Sequence, residues 1–65
     1  MAKKRLLSER FEQDCSSKVK SLIWEADFRN WRLSWSRIRR YAESDQEADL
    51  AYRYWVDYMG GKVYA

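Results

Sequence analysis

Apolar side chains recur at steps of three and four residues along most of this 65-residue chain, which is the periodicity of helices that bury one face. The first series is Leu7, Phe11, Cys15, Val19, Leu22 and Ala26. Polar and charged residues occupy most of the positions between its members. We therefore predict a helix from about residue 4 to about residue 28.

The segment after residue 44 carries both a start and a stop signal for a helix. Ser44 and Glu47 have the spacing of a capping box, in which the serine hydroxyl accepts from the N–H three residues on and the glutamate reaches back to the serine amide. Apolar residues then recur at helical spacing as far as Met59, and a Gly-Gly pair follows as a terminator. These signals predict a helix over 45–59.

The middle of the chain fits a helix better than a strand. Its apolar residues are Phe28, Trp31, Trp35, Ile38 and Ala42. A strand-like alternation covers only residues 31–35, whereas helical spacing accounts for the whole of 28–42. The apolar stripe of the first helix does not continue in phase, so we expect a turn near Asn30–Ser34. A helix over 34–43 then follows, with Ser34 or Ser36 as its N-cap.

These elements predict an all-α fold: one domain over 1–65, built from three helices with short connections. The alternative is a single helix through residue 42 that folds back on 45–59. It would span roughly 55 Å, more than one short helix can cover, so this version is a helical-hairpin dimer. Aromatic residues make up 17% of the chain, more than so small a core can bury, and this also favours self-association as a homodimer.

The composition is that of a folded, soluble protein, with 46% apolar and 35% charged residues. Cys15 is the only cysteine, which fits a reducing compartment. No apolar signal segment follows the basic N-terminus, and no stretch approaches the roughly 18 apolar residues of a membrane span. We expect a cytoplasmic protein, with a membrane-surface role for the amphipathic segment 28–41 as an alternative.

The residue types present argue against catalysis. The chain has no histidine, so it lacks a Ser-His or Cys-His nucleophile and a histidine zinc site. Cys15 lies on the apolar stripe, where a small buried side chain is expected. The acids Asp45, Glu47 and Asp49 fit helix capping better than a calcium loop, whose glycine and distal glutamate are missing. We predict no enzymatic activity, no metal and no cofactor.

Charge is unevenly distributed along the chain, whose net charge is +3. Residues 28–42 carry five arginines and no acid, whereas residues 43–65 carry five acids and two cations. The arginines could form a solvated face, a protein-binding surface or a phosphate-binding surface. Acids directly after them would repel phosphate, so we predict stoichiometric binding of another protein, as a regulator or inhibitor. Nucleic-acid binding by the basic helix 28–42 is the alternative.

Tryptophan, tyrosine and arginine are the residue types enriched at interface hot spots. Trp35 and Trp55 are assigned to the core. Trp24 falls off the apolar stripe of the first helix and Trp31 lies near the expected turn, so these two are expected to be exposed. Tyr54 is expected on the face of its helix opposite to Trp55. The predicted partner-binding residues are Trp24, Arg29, Trp31, Arg32, Arg39, Arg40 and Tyr54.

The spacing of two tryptophans resembles that of Myb or SANT repeats. Nineteen residues separate Trp35 from Trp55, Ile38 lies three residues after the first, and Cys15 occupies the position of the family's leading tryptophan. The glycine-containing turn of the family is absent, and the final helix begins with acids instead of the basic residues of DNA-binding members. The resemblance covers about a third of the chain and implies protein binding more than DNA binding.

Overall fold

The computed structural model describes residues 6–58, which form four helices and no strand. These helices are α1 (Leu7–Asp14), α2 (Ser17–Arg29), α3 (Trp35–Tyr41) and α4 (Asp45–Tyr58). The all-helical class is confirmed, but the helix count is four where three were expected. The parts of the expected helices that fall on residues 4–5 and 59, and the expected Gly60-Gly61 terminator, lie outside the described residues.

The expected first helix is divided into α1 and α2. Cys15 and Ser16 both have extended backbone angles, with ψ of 146° and 163°. The Ser16 hydroxyl accepts from the Val19 N–H at 3.4 Å and caps α2, while the Ser16 N–H donates to Glu47 Oε2 at 2.6 Å. This donor therefore bonds to α4 instead of continuing the first helix, and the chain bends there.

The turn expected near Asn30–Ser34 is confirmed, and the alternative of a single helix through residue 42 is wrong. Asn30 adopts the left-handed conformation, with φ 61° and ψ 38°, which ends α2. The Trp31 N–H donates to the Ala26 carbonyl at 2.8 Å, the bond that closes such a helix end. Ser34 is the N-cap of α3, since its hydroxyl accepts from the Arg37 N–H at 3.3 Å.

The hydrophobic core lies where α1, α2 and α3 pack around α4. Its buried members are Phe11, Cys15, Val19, Leu22, Ile23, Ala26, Leu33, Ile38, Ala42, Ala48, Leu50, Ala51 and Trp55. Trp55 is fully buried, as expected. Trp35 is only half-buried, and its indole N–H donates to Asp49 Oδ1 at 2.6 Å, so its polar edge remains at the surface of α4. Within residues 6–58, every helix is too short or too polar to cross a bilayer.

Candidate functional site

An open groove of about 1000 Å³ lies between α2 and α3. We call it the α2–α3 groove; its lining residues are Ser17, Lys18, Ser21, Leu22, Glu25, Trp31, Arg40, Tyr41, Ala42 and Glu43. Leu22 and Ala42 are buried members of the core and give the groove an apolar floor. Tyr41 is 45% exposed and contributes an aromatic wall. A concave surface with an apolar floor and a charged border is typical of a binding site.

Trp31 lies in this groove and is 37% exposed as a residue. Its backbone is fixed by the bond to Ala26 that closes α2. The guanidinium carbons of Arg29 and Arg37 lie 5.8 Å and 5.5 Å from the centre of its ring, within the range of cation–π attraction. Backbone and neighbours thus restrain the exposed indole, which lowers the entropy it would lose on binding a partner.

Arg37 and Arg40 lie one turn apart on α3, and both side chains are exposed. Arg37 contacts Trp31 through its guanidinium group, and Arg40 lines the groove. Among residues 6–58, neither arginine forms an ion pair with a carboxylate. Arg40 therefore presents its positive charge at the groove itself, and Arg37 presents its charge beside Trp31 at the border of the groove.

Arg39 has a different role, because it joins α3 to α4. Its Nε donates to Asp45 Oδ1 at 2.6 Å, and one of its terminal nitrogens donates to the Ala42 carbonyl at 2.9 Å. The carbonyl is one of the orphan acceptors at the end of α3, so Arg39 acts as a C-terminal cap. The structure therefore places this predicted contact residue in the fold, on the side of α3 that meets α4.

The acids at the start of α4 are also engaged within the chain. Asp45 pairs with Arg39, and Asp49 accepts from the Trp35 indole. The Ser44 hydroxyl accepts from the Glu47 N–H at 3.1 Å, as the capping box predicts. The Glu47 carboxylate instead accepts from the Ser16 N–H at 2.6 Å and the Glu43 N–H at 2.8 Å. The second half of the predicted capping box is thus replaced by bonds to other elements.

Glu47 is the one charged residue buried in the part of the chain that the structure describes. Burial by itself raises the pKa of Glu47, but the hydrogen bonds from Glu43 and Ser16 and the positive charge of Arg39 outweigh it, so the pKa lies below its ordinary value. Glu47 therefore remains ionised and ties the junction between α1 and α2 to the start of α4.

The predicted contact residues divide into those at the groove and those elsewhere. Trp31 and Arg40 line the groove, and Arg29 flanks Trp31 while pairing with Glu25. Arg32 is exposed in the connection between α2 and α3. The predicted contact residues that do not line the groove are therefore Trp24, Arg29, Arg32, Arg39 and Tyr54.

Tyr54 differs from its predicted position. It is half-buried and stacks on Phe11, with ring centres 4.0 Å apart, and on Tyr58 at 4.8 Å. The prediction that this face of α4 is exposed is wrong, because α1 packs against it. Leu50, on the same helix, is also buried. Trp24 is 44% exposed, as expected, and meets Phe11 edge to face at 6.2 Å.

Sequence reasoning missed three exposed residues: Phe28, Arg37 and Tyr41. Phe28 was assigned to the apolar stripe of the middle helix, but it lies on α2 and is 85% exposed. The signal was present, since Phe28 follows Trp24 by four residues and so shares its face once α2 extends to Arg29. Arg37 stands one turn before Arg40, a spacing that predicts a shared face.

Cys15 is buried in the core, as expected, and burial together with the nearby carboxylates of Glu47 and Asp14 raises its pKa to about 11. Within residues 6–58, no three His, Cys, Asp or Glu side chains come together as a metal site.

Comparisons with family models, curated proteins and solved structures found no match to the chain, so the resemblance to Myb or SANT repeats gains no support from them.

Proposed function

We propose that this chain is a small, non-enzymatic protein that binds another protein stoichiometrically, as a regulator or inhibitor. The observation that carries the proposal is the exposed Trp31, restrained by two guanidinium groups beside an apolar groove. Hot spots of protein interfaces are built from such aromatic and arginine side chains around a desolvated pocket. The α2–α3 groove is the binding surface in this proposal.

The distribution of charge favours a protein over a nucleic acid. The groove combines Lys18 and Arg40 with Glu25 and Glu43 around an apolar floor, a mixed surface that suits the apolar and polar side chains of a protein better than a continuous phosphate backbone. At least two of the five arginines in residues 28–42 are paired within the chain, Arg29 with Glu25 and Arg39 with Asp45. The basic segment is thus less available to phosphate than its charge of +5 indicates.

Affinity capture from a lysate of the source organism, with and without nuclease, tests the proposal. Arg40→Glu is the informative variant, because Arg40 lines the groove, is exposed and forms no ion pair with a carboxylate of residues 6–58. Arg10→Glu is the matched control, since Arg10 is exposed on α1 and outside the groove. We expect Arg40→Glu to lose a nuclease-resistant protein that Arg10→Glu retains. Equal capture by both variants, or capture that nuclease abolishes, would contradict the proposal.

We also propose that the chain forms a homodimer. Trp24 and Phe28 are exposed one turn apart on α2, and Tyr58 is 53% exposed at the end of α4. Exposed aromatic side chains of this kind favour association, and a domain this small has a marginal core. Light scattering at high micromolar concentration should give twice the monomer mass, and Phe28→Ser should reduce it. A monomeric mass for the unaltered chain would refute the dimer.

A cytoplasmic location remains part of the proposal. It is supported by the free thiol of Cys15, which fits a reducing compartment. Fluorescent tagging in the source organism would test it, and a signal confined to the cell envelope would count against it.

A further inference from the structure

We infer that the α2–α3 groove receives an acidic amphipathic helix of the partner protein, an inference that rests on the protein-binding function proposed above. Two features of the groove carry it: an apolar floor in a groove about two helical turns long, and an excess of positive charge among the described residues around it. Each is consistent with one recognised mode of peptide binding, in which a helix lays its apolar face into a groove between helices.

The dimensions of the groove suit about two turns of helix. On α2 its lining extends from Ser17 to Glu25, eight residues of rise, which is roughly 12 Å. Leu22 and Ala42 form the floor, and Tyr41 and Trp31 present exposed rings beside it. One apolar side chain from each turn of an incoming helix would cover these surfaces, with i and i+4 spacing.

The charge around the groove is positive once internal pairs are set aside. Arg29 is neutralised by Glu25. The charged residues that remain in the lining are Lys18 and Arg40 against Glu43, and Arg37 adds a further cation beside Trp31, which leaves two positive charges. An occupant with carboxylates beside its apolar face would complement this surface, and one with lysines there would be repelled.

Selection from a displayed library of random peptides, each long enough for three helical turns, tests this chemistry directly. The immobilised protein should enrich peptides that place Asp or Glu next to apolar residues at i and i+4. The best synthetic peptide should bind about tenfold more tightly than its counterpart with Gln in place of the acids. High salt, about 0.5 M, should remove most of that difference.

A paired variant locates the effect. Arg37→Gln with Arg40→Gln should abolish the preference for the acidic peptide over its Gln counterpart, whereas Arg10→Gln should leave it unchanged. Fluorescence anisotropy measures both affinities, and far-UV circular dichroism verifies that the helices are retained. The same assay with a labelled single strand and a labelled duplex provides the comparison with nucleic acid.

The outcomes separate this inference from the function on which it rests. A selection that returns basic or neutral peptides, or none, overturns the acidic helix, as does nucleic acid bound more tightly than the peptide. If the peptide selection fails but protein capture still depends on Arg40, the proposed protein-binding function stands without the acidic helix. If capture does not depend on Arg40, the groove itself is the wrong surface, and the proposed function fails with it.

Discussion

Replacing Glu47 tests how the four helices are held together. Its carboxylate is 8% exposed and accepts from the backbone N–H groups of Ser16 and Glu43. Hydrogen bonds to a charged group contribute about 1.5–3 kcal/mol each. Glu47→Gln keeps one acceptor oxygen and turns an amide donor toward the other N–H, so we expect a loss of about 2 kcal/mol. A 65-residue domain has a free energy of unfolding of about 3–10 kcal/mol, so the loss is a large fraction of it.

Urea denaturation followed by far-UV circular dichroism measures this loss. With a denaturant slope of about 1 kcal/mol/M for so small a domain, the midpoint of Glu47→Gln should lie about 2 M below that of the unaltered chain. Glu43→Gln removes the same charge from a neighbouring exposed side chain. It leaves the hydrogen bond to Glu47 intact, because Glu43 makes that bond with its backbone N–H and not with its carboxylate. It should change stability by less than about 0.5 kcal/mol. Equal midpoints for the two variants would refute the role assigned to Glu47.

Three further predictions follow from the same contacts. The pKa of Glu47 is lower in the folded chain than its ordinary value of 4.5, so its stabilisation is present above that pH and is lost as the pH falls further. Urea titrations at several pH values should show the free energy of unfolding falling in this range, and Glu47→Gln should reduce that fall. The same dependence of the free energy of unfolding on pH in both chains would contradict the prediction. The pKa of about 11 at Cys15 leaves roughly one thiol in a thousand as thiolate at pH 8, so Ellman's reagent should react with the folded chain about 100-fold more slowly than with the chain unfolded in urea. Equal rates in the two states would show that the thiol is accessible in the folded chain. Asn30→Ala should lower the free energy of unfolding by about 1 kcal/mol, because alanine is strained at a φ of 61°, whereas Asn30→Gly should leave it unchanged. Thermal unfolding measures both, and similar losses for the two variants would contradict backbone strain as the cause.

Local signals in the sequence predicted much of the fold. The phase break after Ala26 and the serine at position 34 located the turn and the start of α3, because both act through the backbone within a few residues. The break between α1 and α2 was not predictable in this way. The step from Cys15 to Val19 keeps a helical spacing of four across it, so both helices bury the same stripe, and the bond that bends the chain comes from Glu47, 31 residues away.

The candidate site shows the same limit. Trp24 was predicted to be exposed because it falls off the first apolar stripe, and Trp31 because it lies near the turn, and both are exposed. The role of Arg39 depends on where α4 begins in space, and the burial of Tyr54 depends on α1 packing against it. The sequence therefore predicted that some tryptophans and arginines would be exposed, whereas which arginines and tyrosines are held within the fold depends on the packing of the helices.

The most direct test of the central claim uses the indole N–H resonances of the four tryptophans in a ¹⁵N-labelled sample. Trp31 lines the groove, Trp55 is buried, Trp35 donates to Asp49, and Trp24 lies outside the groove beside Phe11. Titration with the captured partner protein should shift or broaden the Trp31 resonance first and leave that of Trp55 nearly in place. Saturable binding that leaves Trp31 unperturbed would contradict the assignment of the α2–α3 groove as the binding surface.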